Sequence, residues 1–125
     1  MIIRRTIFAG LLVALAMPVA AQSVKLLDKE ITVLLSGNTA VGTWEGADYR
    51  QYFDPDGTTI YAEQGSMPEY GEWRVQDDSY GSIWPDDDDW ESWFIMEFAG
   101  GFFWVSKTTS PTPFTIVDGD QIVAD

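Results

Sequence analysis

The sequence predicts a mainly β fold: a small antiparallel up-and-down meander of about eight strands, curled or closed into a barrel, with one helix at its start. Three observations predict it. Beyond residue 37, apolar and aromatic residues recur in short runs of strand length. Tight-turn signals separate these runs at Asp54-Pro55-Asp56-Gly57, Asp77-Asp78, Gly100-Gly101 and Asp118-Gly119-Asp120. Only one stretch has helical spacing. A meander of this length tends to close on itself, because closure removes exposed strand edges. A two-sheet sandwich is the rival arrangement.

The folded part is expected to begin after a secretory signal peptide at 1–21. Arg4 and Arg5 supply a short positive region, and Ile7 to Met17 form an apolar run too short to span a bilayer. Val19 and Ala21 then occupy the small-residue positions of a cleavage site, which places the mature N-terminus at Gln22. Ile3 stands before the arginine pair where twin-arginine export would favour a small hydroxyl residue, so general secretion is expected. No cysteine is present to carry a lipid, and no later segment is long and apolar enough to anchor the chain. The expected product is a single β-rich domain, 22–125, periplasmic or secreted, with no membrane anchor after cleavage.

Each element has a local reason. Leu27, Ile31, Leu34 and Leu35 fall at helical spacing, with Ser23 as a cap and Gly37 as a terminator. Strands are expected at Val41–Trp44, Asp48–Phe53, Thr58–Glu63, Tyr70–Gln76, Ser79–Trp84, Trp90–Phe98, Phe102–Lys107, Phe114–Val117 and Gln121–Val123. The Asp54–Gly57 segment suits a type I turn closed by a glycine bulge. With Gly100-Gly101 as the turn centre, Phe98 lies opposite Phe103 and Met96 opposite Val105. That pairing places Phe94, Met96, Phe98, Phe103 and Val105 on one face, expected to be core. The opposite face, Trp93, Ile95, Glu97 and Trp104, is then either covered or an exposed aromatic strip.

Composition excludes several chemistries. With no Cys and no His, the chain has no thiolate nucleophile, no imidazole base and no ordinary zinc site. It lacks G-x-S-x-G, and nothing picks out a pair of acids at glycosidase separation. A non-enzyme without cofactor or metal is expected, a hydrolase being the low-weight alternative. Without its leader the chain keeps five basic residues against twenty acids, a net charge of −15. Such a surface repels nucleic acid and anionic lipid and favours cations or basic proteins, but the reading preferred for it is that it keeps an exported protein soluble.

The residues most able to bind something lie around the acidic loop: Trp84, Asp86, Asp87, Asp88, Asp89, Trp90 and Trp93, with Tyr80 close by. Clustered carboxylates can hold a hard cation, but four consecutive residues lack the ligand spacing of a calcium loop, and a solvated charge run is expected instead. Asp54–Gly57 and Asp118–Asp120 are read as turns for the same reason. Tryptophan beside carboxylates is also what a sugar site uses, since ring faces stack on apolar sugar faces while carboxylates accept hydroxyl protons.

Leu35-Ser36-Gly37-Asn38-Thr39, Tyr52-Phe53 before Pro55-Asp56-Gly57, Gly71-Glu72-Trp73 and Trp84-Pro85 together resemble a group of small uncharacterised periplasmic proteins of proteobacteria, a domain of unknown function. The resemblance covers most of the mature chain in outline and implies fold and compartment, without a reaction or catalytic residues. Such proteins often carry a cysteine pair near the Trp-Pro segment. Here the nearest small residues are Ser82 and Ser92, so no disulfide-dependent role carries over. The function expected is an envelope binding or interaction module that uses the acidic, Trp-bearing loop on a basic protein partner, in the manner of small periplasmic inhibitors of cationic lysozymes. The alternative is a barrel holding a small apolar or sugar ligand.

Overall fold

The computed structural model describes residues 22–122; the expected leader at 1–21 lies outside the described residues. Eight strands close into an antiparallel barrel: β2 (Asn38–Trp44), β3 (Ala47–Phe53), β4 (Thr58–Glu63), β5 (Glu69–Gln76), β6 (Ser79–Ile83), β7 (Glu91–Phe98), β8 (Gly101–Val105) and β9 (Thr112–Asp118). Each strand pairs with the next, and β9 returns to β2 through Asn38↔Asp118 to Gly42↔Phe114. A ninth strand, β1 (Ser23–Lys25), pairs with the far half of β7 beyond the end of β6. Ser23, expected as a helix cap, therefore lies in a strand opposite Phe98.

The single helix among the described residues, α1 (Asp28–Leu35), plugs one opening of the barrel, packing on β2, β5 and β6. Ile31 and Leu35, one turn apart, are fully buried, while Leu27 is exposed and stands just before the helix. Leu27 has no side-chain acceptor to cap with, so the start is held from elsewhere. Its N–H donates to Glu30 Oε1 at 2.8 Å, and the Asp28 N–H donates to Asp78 Oδ1 at 2.8 Å. The Asp78 N–H donates back to Asp28 Oδ1 at 2.6 Å, which joins the helix N-terminus to the β5–β6 turn. Both carboxylates sit where the first-turn N–H groups and the helix dipole favour negative charge.

The turns follow from residues that accept positive φ. Asp77 and Asp78 (φ 55° and 56°) form a two-residue connection, as do Ala99 and Gly100 (φ 51° and 83°). The latter turn is centred one residue earlier than expected, so Phe98 faces Gly101 and Met96 faces Phe103. Asp54–Gly57 is the expected tight turn, with Gly57 at φ 98° and its N–H donating to Asp54 O at 3.0 Å. The carboxylate of Asp56 accepts from the Thr58 N–H at 2.8 Å, and that bond holds its pKa below the ordinary value. The strand expected at Gln121–Val123 is not present at Gln121 and Ile122. Instead the Gln121 N–H donates to buried Thr39 Oγ1 at 3.0 Å, and Thr39 donates to Gly119 O. Val123 lies outside the described residues.

Inside the plugged half, Phe53 is the hub. Its ring meets Trp73 edge-on at 5.4 Å and Tyr80 at 5.6 Å, and Trp104 stacks on Phe114 at 4.1 Å. The assignment of faces in the β7–β8 hairpin is the reverse of the expectation. Ile95 (0% exposed) and Trp104 (7%) point into the core, whereas Phe94 (38%) and Phe98 (42%) lie on the outer wall. Both faces of this hairpin are apolar, so alternation separates them without saying which is inside. A barrel interior can satisfy the Trp104 indole, whose Nε1–H donates to Tyr49 Oη at 3.0 Å. On the outer wall Lys25 lies over the Phe94 ring at 4.4 Å.

Candidate functional site

The end opposite the helix is open, and a cavity of about 360 Å³ descends from it into the barrel. Its lining comes from the inward-facing residues of the strands as they approach this mouth. Along β3 the inward series is Phe53, Gln51, Tyr49; along β4, Thr59, Tyr61, Glu63; along β7, Ile95, Trp93, Glu91. In β4 and β7 the inward residues become more polar toward the mouth and end on a glutamate at the opening. Glu69 at the start of β5 does the same, and Glu45 in the β2–β3 turn adds a fourth carboxylate.

The walls are aromatic. Trp44 and Trp93 meet edge to face at 6.0 Å, and Tyr61 meets Trp84 the same way at 6.2 Å. Tyr61 also stacks on Tyr49 at 5.3 Å. Two glycines make this crowding possible. Gly42 lies under the Tyr49 ring, where a Cβ would come within 2.9 Å of the hydroxyl, and Gly71 lies under Trp84. The floor is polar and buried. Gln51 Nε2 donates to Thr59 Oγ1 at 3.0 Å and to Tyr80 Oη at 2.8 Å. With both N–H bonds of its amide used, the Gln51 carbonyl oxygen has no hydrogen-bond partner among the described residues.

The phenols of the cavity are held in their neutral form. Burial pushes Tyr80 up to about 12, against weaker lowering by hydrogen bonds with Ser82 and Gln51. Burial also raises Tyr49. For Tyr61 burial is again the largest cause, followed by the negative charge of Glu63, whose Oε1 accepts from the Tyr61 hydroxyl at 3.3 Å. Glu69 adds to that rise. In this form each hydroxyl can both donate and accept: Tyr80 Oη accepts from Gln51, Tyr49 Oη accepts from Trp104, and the Tyr61 hydroxyl donates to Glu63.

Of the residues singled out in the sequence, Trp84 and Trp93 line this cavity, together with Tyr80. Asp86, Asp87, Asp88, Asp89 and Trp90 do not. The four aspartates are exposed on the loop between β6 and β7, where Asp87 Oδ2 accepts from the Trp84 N–H at 3.0 Å and Asp89 Oδ1 from the Trp90 N–H at 2.8 Å. Trp90 packs outside the barrel under the Arg74 guanidinium, 3.9 Å from the ring centre. Among the described residues no group of three or more carboxylates is placed to hold a metal ion. Changing Asp86 to Asp89 together to Asn is therefore expected to move stability by less than about 1 kcal/mol at moderate salt, since exposed charges are well screened. Millimolar calcium should not raise the melting temperature of the native chain. A calcium-dependent rise of several degrees that the Asn variant abolishes would contradict this placement.

The lining residues that were not among the candidates read from the sequence include Trp44, Tyr49, Gln51, Tyr61, Trp104 and the four glutamates. A signal for them exists: Tyr61 and Glu63, Ser82 and Trp84, and Glu91 and Trp93 each share one strand parity, and all fall at the same end of the meander. Comparison with protein-family models, with curated proteins and with solved structures finds no match.

Proposed function

We propose that this chain is an exported, non-enzymatic binding protein whose barrel takes a small ligand through its open mouth. The observation that carries the reading is the cavity, about 360 Å³, lined by four tryptophans and three tyrosines and floored by buried polar groups. Its volume falls in the range of pockets that hold small molecules, roughly 300–1,000 Å³, and a mostly apolar wall with a few placed polar groups is their usual construction. The helix plug closes the opposite end, so the mouth is the way in. Phenols kept protonated by burial, in a chain without His or Cys, suit recognition better than proton transfer.

Trp44, Trp84, Trp93 and Trp104 all line the cavity, so occupancy should change the intrinsic fluorescence. Sugars, neutral aromatics, amines and carboxylic acids should be titrated in turn, and at least one class is expected to shift the emission saturably. Trp84→Ala should weaken that response about fivefold or more, as expected for losing one stacking wall. Absence of any saturable response in all four classes would refute the reading.

A basic protein docked on the acidic loop is the second reading, favoured by the exposure of Asp86 to Asp89 at the mouth end. Such a complex would weaken steeply with salt and would be lost on changing the four aspartates to Asn. The cavity reading predicts that this variant binds small ligands unchanged.

A further inference from the structure

The mouth combines three features that point to one class of ligand. Glu45, Glu63, Glu69 and Glu91 stand at the rim, and among the described residues no Lys or Arg lines the cavity with them. Three of the chain's cations are engaged elsewhere: Arg74 lies over Trp90, Lys25 over Phe94, and Arg50 donates to Gln121 O at 2.9 Å. Among the described residues no cation of the chain covers a ring of the cavity. The walls present tryptophan, whose π-face attracts cations most strongly.

We infer that the cavity binds an organic cation, an aliphatic amine or diamine whose ammonium group sits among the rim glutamates against the rings of Trp44, Trp84 and Trp93. The inference rests on the binding reading above and names its ligand class. A metal ion does not fit. A hard cation takes six to eight oxygens converging at 2.3–2.6 Å, and the described carboxylates nowhere gather in that way. An organic ammonium needs no such convergence, because three N–H donors can reach separated acceptors while the methylene chain lies on apolar rings. The floor adds a second acceptor in the carbonyl oxygen of Gln51, a residue only 7% exposed. Acceptors at both rim and floor favour a ligand with donors at both ends, so a diamine should bind more tightly than a monoamine. An anion meets four carboxylates, and a neutral diol can donate hydrogen bonds to them but brings no charge to offset their mutual repulsion or to meet the ring faces.

The test is calorimetric titration of the full mature chain with cadaverine, pentylamine, pentanediol, glutarate and glucose. Cadaverine is expected to bind most tightly, pentylamine several-fold more weakly, and pentanediol and glutarate not measurably. Raising sodium chloride from about 50 to about 500 mM should weaken cadaverine several-fold. The double variant Glu63→Gln/Glu69→Gln, isosteric and so expected to fold, should lose about tenfold or more in affinity, because charge-assisted hydrogen bonds are lost. Trp84→Phe should keep most of the affinity that Trp84→Ala loses. Pentanediol or glucose binding as tightly as cadaverine, or the glutamine variant binding cadaverine as well as the native chain, would overturn the cation inference while leaving a binding barrel. No binding in any arm would overturn both. Cationic lysozyme binding while free amines do not would overturn the inference in favour of a protein partner.

Discussion

Replacing Phe53 with Ala is expected to cost about 3–5 kcal/mol, the usual loss for a large aromatic removed from a packed core. Phe53 has no exposed surface, and its ring touches Trp73, Tyr80 and Trp104 at centroid distances of 5.4, 5.6 and 6.3 Å. Its backbone carbonyl also accepts from the Gly37 N–H at 2.7 Å, where the chain leaves the helix for β2. The cavity left by truncation would thus lie between the helix plug and the polar floor of the site. At roughly 4–8 °C per kcal/mol for a domain near 100 residues, the melting temperature should fall by about 12 °C or more. Phe98→Ala is the contrast: that ring is 42% exposed on the outer wall, and its loss should cost about 1 kcal/mol or less. Denaturant titration of the two variants measures both values. Equal losses at the two positions would show that the inner and outer faces of the β7–β8 hairpin have been exchanged.

Gly71→Ala is expected to damage fold and site together. An added Cβ would stand 2.6 Å from Trp84 Cε3 and 2.7 Å from the Ile83 carbonyl oxygen. The indole could swing away, but the carbonyl belongs to the neighbouring strand and cannot move without disturbing the β5–β6 ladder. Overpacking of this kind costs about 1–3 kcal/mol. It would also push Trp84 out of the cavity wall, while the Asp87 carboxylate still held the Trp84 backbone in place. The expected result is a lower melting temperature accompanied by weaker ligand response. Gly81→Ala is the control, because a Cβ there meets nothing nearer than 3.6 Å. Gly71→Ala with native stability and native ligand affinity would show that the Trp84 ring does not rest on this glycine.

Much of the fold was legible locally. Alternation and turn residues are short-range signals, so the strand runs, the Asp54–Gly57 turn and the Ile31/Leu35 face of the helix could be read directly. The acidic loop was legible as a charge run, and its exposure agrees with that reading. The lining of the cavity was less so. Trp84 and Trp93 were found because they flank the loop in sequence, whereas Tyr49, Tyr61 and Glu63 come from strands that reach the same mouth only after the sheet closes. Trp90 was grouped with them by proximity along the chain, yet β7 begins at Glu91 and Trp90 turns outward to Arg74.

By itself the sequence determined the β class, the single helix, the dominance of aromatics in the core and the large excess of negative charge. These follow from composition and from periods of two and 3.6 residues, which need no knowledge of distant partners. Closure of the barrel decided the rest. It chose which of two apolar faces of the β7–β8 hairpin turned inward, placing Trp104 where its indole N–H meets Tyr49, fifty-five positions away. It also supplied the helix cap from Asp78, fifty positions on, because Leu27 offers no acceptor of its own. And it gathered glutamates from β4, β5 and β7 at one rim. Each of these is a pairing between residues far apart in the chain, and such pairings depend on strand register and closure, which no local pattern carries.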